Sequence, residues 1–101
     1  MKNLLYFLLA LLSYQSYGQV ELSGKVKDKS DGSVVQQAYL FIKPINKAIS
    51  TDEKGFYEIS LEPGEYIINV NYLGFQEYNE RIRIDADREL DIYLQPKAES
   101  L

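Results

Sequence analysis

From Val20 to Leu94 apolar and polar residues alternate with a period of two, and Gly, Pro, Asp or Ser clusters interrupt the alternation. No window carries the i, i+3, i+4, i+7 spacing of an amphipathic helix, so the chain can bury its apolar residues only as strands. Val20, Leu22, Gly24 and Val26 alternate with Glu21, Ser23, Lys25 and Lys27, the pattern of a half-buried strand. The stretch from Asp28 to Ser33 follows as a turn. Ala38 to Lys43 is almost continuously apolar, which predicts a central strand covered on both faces; Pro44 stops it, because proline cannot donate to a ladder.

A short strand is expected over Ala48 to Thr51, leading into Asp52-Glu53-Lys54-Gly55 as a hairpin turn with Gly55 left-handed. Tyr57, Ile59 and Leu61 mark the next strand, and Glu62-Pro63-Gly64 has the order of a type II turn. Glu65 to Leu73 places Tyr66, Ile68, Val70 and Tyr72 on one face before Gly74 breaks it. Tyr78, Ile82 and Ile84 form the sixth run. Asp85 to Arg88 turns the chain into the seventh, Leu90, Ile92 and Leu94, which Pro96 ends. Seven short strands at about 8–12 residue spacing predict an all-β fold, a seven-stranded antiparallel-type β-sandwich.

The N-terminal segment has a different character. Lys2 precedes an apolar run from Leu4 to Leu12, about the length of a signal-peptide core and too short for the roughly 20 residues that span a bilayer. Ser16 and Gly18 suit the small-residue positions of a cleavage site before Gln19, so residues 1–18 are expected to be a cleaved signal peptide. An uncleaved anchor and a buried helix are the competing readings. A lipid anchor is excluded, because there is no Cys to carry it. The mature chain then comprises one domain over 19–96 and a tail over 97–101, with 10 - 15 = -5 formal charges once Lys2 is lost. It contains no membrane span.

Composition removes many functions. The 101 residues contain no His and no Cys, so disulfides, thiolate metal sites, cysteine nucleophiles and imidazole bases are absent. A formal charge of -4 disfavours a phosphate-binding surface, and Lys25, Lys27, Lys29, Arg81, Arg83 and Arg88 are interleaved with Glu21, Asp28, Glu80 and Asp85. No nucleic-acid partner is expected. A domain of this size commits nearly every alternating apolar residue to packing and leaves little for a deep pocket.

The ordered pieces Gly24-Lys25-Val26-Lys27-Asp28, Gln37-Ala38-Tyr39-Leu40, Ser50-Thr51-Asp52-Glu53-Lys54-Gly55-Phe56-Tyr57, Pro63-Gly64-Glu65-Tyr66 and Val70-Asn71-Tyr72-Leu73-Gly74-Phe75 resemble the carboxypeptidase-regulatory-like domain. The most specific elements are T-D-x-x-G-x-F/Y, P-G-x-Y and Y-x-G-F/Y in that order, and the resemblance covers about residues 20–95. It implies a prealbumin-like (Ig-like) sandwich. It also implies one of two settings: an accessory module behind metallocarboxypeptidases, or an N-terminal extension, directly after the signal peptide, of TonB-dependent outer-membrane receptors of Bacteroidetes-type bacteria. The second fits the segment order better. Leu94 to Leu101 reaches about the point where a receptor plug would open, so the expectation is either a stand-alone periplasmic module or a truncated receptor extension.

Candidate site residues fall into two groups. Asp52, Gly55, Pro63, Gly64 and Gly74 are expected to be structural turn residues, with the Asp52 carboxylate accepting from amides two residues on. Tyr39 and Tyr93 are the candidate interaction surface, although most of the set Tyr39, Phe41, Tyr57 and Tyr93 is expected in the core or in inter-strand pairs. The acidic pairs Asp52/Glu53 and Asp85/Asp87 lack the ligand spacing of a calcium loop and read as solvated turns; no cofactor and no metal are expected. The function expected is that of a non-catalytic, exported interaction module of the bacterial envelope, periplasmic, outer-membrane-associated or extracellular. Its partner would be an envelope protein or a peptide added at an open sheet edge. The alternative is a carbohydrate-binding module using exposed tyrosines, and a small hydrolase is the third reading.

Overall fold

The computed structural model describes residues 18–98, so all but the last residue of the expected signal peptide lies outside the described residues. Eight strands follow one another: β1 (Val20–Asp28), β2 (Tyr39–Lys43), β3 (Lys47–Ser50), β4 (Phe56–Leu61), β5 (Gly64–Asn71), β6 (Tyr78–Ile84), β7 (Arg88–Glu89) and β8 (Ile92–Leu94), with no helix among the described residues. They form two sheets. In one, β1 lies between β4 and the β7–β8 edge; in the other the order is β3-β2-β5-β6. Alternate residues of β1, β2, β4, β5, β6 and β8 point into the space between the sheets, where Leu22, Val26, Leu40, Ile42, Ile68, Ile84, Ile92 and Leu94 are buried. Each such Leu or Ile contributes about 1.5–3 kcal/mol by leaving water, and that core holds a chain that has no Cys for a disulfide.

The expected seventh strand is two strands, which makes eight. Both pieces keep one register on β1, with Leu22 opposite Arg88 and Val26 opposite Ile92. Between them the Leu90 amide still donates to the Ser23 carbonyl at 2.7 Å. The next bond comes from a side chain, with the Lys25 amide donating to Asp91 Oδ1 at 3.0 Å. The Leu90 carbonyl turns instead over Gly24 and accepts the Tyr57 hydroxyl at 2.5 Å. A Cβ built on Gly24 would lie 1.9 Å from that oxygen, so only glycine admits this approach. Both β7 and β8 run parallel to β1, so this sheet is mixed where an antiparallel-type sheet was expected.

The strand over Ala38 to Lys43 is central in its sheet but is not covered on both faces. Leu40 and Ile42 are buried, while Tyr39 and Phe41 face outward. A two-layer sandwich leaves the outer face of each sheet to solvent, and an apolar run cannot show which of its residues will take that face. Tyr72 also departs from expectation: β5 ends at Asn71, and the Tyr72 ring stands half-exposed, its centroid 5.9 Å from that of Phe75.

Two of the expected turns do a different job from the one their residues suggest. β3 pairs with β2 while β4 pairs with β1, so Asp52 to Gly55 carries the chain from one sheet to the other and is not a hairpin. Pro63 and Gly64 make the return crossing into β5. Gly55 has φ 73°, as a left-handed turn position requires, and Gly74 has φ 91°. Gly64 does not: it is the first residue of β5, outside the positive-φ set, so the type II expectation fails there. Past β8 the chain leaves the first sheet, and the Lys97 amide donates to the Gly74 carbonyl at 2.9 Å.

Candidate functional site

The outer face of the β3-β2-β5-β6 sheet gathers exposed aromatic, amide and cationic side chains. β2 alternates buried and exposed residues, so Tyr39, Phe41 and Lys43 line up on this face. The register then sets their neighbours: Ser50 and Asn71 flank Tyr39, Ala48 and Asn69 flank Phe41, and Ile67 flanks Lys43. One strand further, Asn79 lies opposite Asn69 and Arg81 opposite Ile67. Tyr39 is 58% exposed and Phe41 40%, because their neighbours on β3, Ser50 and Ala48, are too small to cover the rings.

Beside the rings the amides form a connected strip. Asn71 Nδ2 donates to Asn69 Oδ1 at 2.8 Å, and Asn69 Nδ2 donates to Asn79 Oδ1 and to Glu77 Oε1 at 2.7 Å each. Asn79 Nδ2 also donates to Glu77 Oε1, at 2.9 Å. The Asn79 and Asn69 amides hold the Glu77 carboxyl below the usual carboxylate range, with Lys43 a lesser contributor, so it stays an anion and an acceptor. At the other end of the face Lys43, Pro44, Glu65, Tyr66, Ile67 and Arg81 line an open hollow of about 290 Å³. Glu65 is engaged by Arg83 at 3.6 Å; among the described residues neither Lys43 nor Arg81 makes an ion pair.

The two tyrosines singled out from the sequence lie on opposite outer faces. Tyr93, on β8, is 48% exposed, but Lys27 Nζ sits 5.9 Å from its ring centroid and covers part of that ring. Of the four aromatics expected in the core or in inter-strand pairs, Tyr57 is buried in the core, while Tyr39 and Phe41 lie opposite Ser50/Asn71 and Ala48/Asn69 with their rings exposed, and Tyr93 is exposed too. Burial pushes the Tyr57 phenol well above its ordinary range, and it acts as a hydrogen-bond donor. The Asn69, Asn71 and Asn79 strip was not singled out; the N-x-N spacing of Asn69 and Asn71, which puts both amides on one strand face, was the available signal.

The expected turn residues lie at or beside the β3–β4, β4–β5 and β5–β6 connections. Asp52 Oδ1 accepts from the Lys54 amide at 2.8 Å and the Phe56 amide at 3.0 Å, and these bonds, that of Phe56 foremost, lower its pKa. Pro63 lies in a bend between β4 and β5. Thr51 supplies a contact that sequence reasoning missed. Its buried hydroxyl donates to the Val35 carbonyl at 2.7 Å and accepts the Ala38 amide at 3.0 Å, tying the long β1–β2 connection to the end of β3. Among the described residues no group of three or more Asp or Glu is placed to hold a metal ion.

A family model described as the CarboxypepD_reg-like domain matches residues 22–101. The chain belongs to that family. Among curated relatives, the CarboxypepD_reg-like chain is similar to TonB-dependent receptor P3 of Formosa agariphila, with 27% identity over 96 residues. That match takes in 94% of this chain and 9% of the receptor, so the chain spans only a small part of its relative's length. Among solved structures, catechol 1,2-dioxygenase of Acinetobacter radioresistens superposes with a TM-score of 0.68 at 11% identity, over 85% of this chain and 54% of the enzyme chain. A chain of the type II cohesin-X-dockerin complex of Acetivibrio cellulolyticus gives 0.64 at 19%, over 74% and 56%. A DUF3823 family protein of Bacteroides ovatus gives 0.60 at 19%, over 77% and 45%. At these identities the likeness is one of fold, and that fold is the β-sandwich.

Proposed function

We propose that this CarboxypepD_reg-like domain is a non-catalytic, exported interaction module of the bacterial envelope that works with a TonB-dependent receptor system. The observation that carries the proposal is the alignment of 94% of the chain with part of a TonB-dependent receptor. A binding role also agrees with a chain that has neither His nor Cys. The edge of β4 is the place where a partner strand would add. β4 is six residues long and presents one charge, Glu58, whereas β3 is four residues long, β6 is guarded by Glu80, Arg81 and Arg83, and β7 and β8 are two and three residues long.

Cell fractionation with N-terminal sequencing tests the setting. The expected result is an envelope fraction containing a chain that begins at Gln19. A chain that keeps Met1 and stays in the cytoplasm would overturn the proposal. A second reading, carbohydrate binding, is favoured by one observation: Tyr39 and Phe41, alternate residues of β2, stand exposed on one sheet face.

A further inference from the structure

We propose that the outer face of the β3-β2-β5-β6 sheet binds a carboxylated polysaccharide, a chain of uronic-acid sugars, along the line Tyr39–Phe41–Lys43. The proposal rests on the carbohydrate reading above and goes further by assigning the site and the chemical class. Three kinds of group are needed to hold such a ligand, and this face carries all three. Tyr39 and Phe41 offer ring faces for the apolar side of a sugar, about 7 Å apart as alternate residues of one strand. Asn71, Asn69 and Asn79, with the Glu77 carboxylate, present donors and acceptors already fixed by their mutual bonds, so hydroxyls meet a polar strip that needs little ordering. Lys43 and Arg81 stand on either side of Ile67, two strand spacings or about 10 Å apart, across the hollow.

The unpaired cations decide the class of sugar. Arg83 already has Glu65 and Asp85, at 3.6 and 3.3 Å, but no carboxylate of the described residues is paired with Lys43 or Arg81. A sugar carboxylate entering the hollow would supply the missing charge, and guanidinium is suited to carboxylate geometry. The shape of the face argues against other occupants. Four strands by five residues span about 320 Å² of sheet plane, well short of the roughly 800 Å² that a stable protein partner buries on each side. An extended peptide gains its affinity from main-chain bonds, and within a sheet face those groups are already spent on the ladders. A slender chain rich in hydroxyls and carboxylates is served by side chains alone.

Affinity electrophoresis of the purified protein tests this, with soluble polygalacturonate, its carboxyl-reduced form, dextran and dextran sulfate as probes. Polygalacturonate should retard the protein and the reduced polymer should not. Lys43→Gln and Arg81→Gln should each weaken retardation about tenfold, the loss of one charge-assisted bond. Tyr39→Ala and Phe41→Ala should weaken it at least as much, while Tyr93→Ala on the opposite face should leave it unchanged. All five positions are solvent-facing, and a melting curve for each variant confirms that it is folded. Equal retardation by the reduced polymer would leave carbohydrate binding standing and remove the acidic class. Equal retardation by dextran sulfate would reduce the site to unselective anion binding and overturn the proposal. A loss with Tyr93→Ala but not with Tyr39→Ala would put the site on the other sheet. No retardation by any of the four polymers would remove the carbohydrate reading together with the proposal.

Discussion

Thr51 and the glycines Gly24 and Gly64 show how narrowly individual positions are fixed. Thr51 is the buried polar residue at the junction of the β1–β2 connection and β3, and both of its bonds go to main-chain groups of that connection. Thr51→Val keeps the shape and leaves the Ala38 amide and the Val35 carbonyl without those bonds, at a cost of about 1–3 kcal/mol. For a domain this small each kcal/mol moves the melting midpoint by about 4–8 °C. Thermal melts should therefore show a clear drop for Thr51→Val and a midpoint near the parent for Thr51→Ser, which keeps the hydroxyl. Gly24 and Gly64 make the second test. A Cβ at Gly24 meets the Leu90 carbonyl, whereas at Gly64 its nearest neighbour, in the Tyr66 ring, is an ordinary 3.8 Å away. Gly24→Ala should destabilise by about 1–3 kcal/mol or more, as overpacking does, and Gly64→Ala should leave the melting midpoint close to the parent. Equal effects at the two positions would contradict this reading of the Leu90–Asp91 break.

At the scale of elements, the β3–β4 corner depends on one carboxylate. Asp52 collects the amides of Phe56 and Lys54 in the native turn, so its pKa lies lower in the folded chain than in the unfolded one. Its contribution is therefore present above the unfolded value of about 4 and is lost as pH falls through the lowered native value. Asp52→Asn retains an acceptor oxygen but does not titrate. In melts taken from about pH 5 down to pH 2, the variant should lose stability less steeply than the parent. A slope remains in the variant, because Asp31, bonded by Ser33, is lowered in the same way. Identical slopes would show that the corner does not depend on the ionised form.

Most elements were legible because period-two alternation and turn residues are local properties. The registers that place Leu22, Leu40, Ile68 and Ile84 in the core follow from that alternation. Partner choice is not local. The turn signals at Asp52–Gly55 and Pro63–Gly64 are the same whether the chain reverses within a sheet or crosses to the other one. Likewise nothing near Leu90 announces that its carbonyl will lie over Gly24, which is 66 positions from its own neighbour Leu90 in the shared β1 register. The candidate face was half legible. Tyr39 was marked, but Phe41 and Lys43 read as parts of a doubly covered strand, and the Asn strip becomes visible only when β5 and β6 are laid side by side.

At the scale of the whole molecule, three hollows among the described residues are open and lined largely by surface side chains. What the sandwich offers is surface: the β4 edge for a protein strand, and the outer face of the β3-β2-β5-β6 sheet for a slender chain. An accessible strand edge is what the proposed holding of an envelope protein uses. Because the chain has no Cys, Glu58→Cys gives a unique attachment point on the β4 edge for a photoreactive maleimide. Crosslinking of that protein in envelope membranes of its own bacterium, with the adduct identified by mass spectrometry, tests the claim most directly. The expected result is a covalent adduct with a TonB-dependent receptor component, formed from Glu58→Cys and absent when Lys29→Cys, in the β1–β2 connection, carries the same reagent. Equal labelling of unrelated proteins from both positions, or no adduct from either, would contradict it.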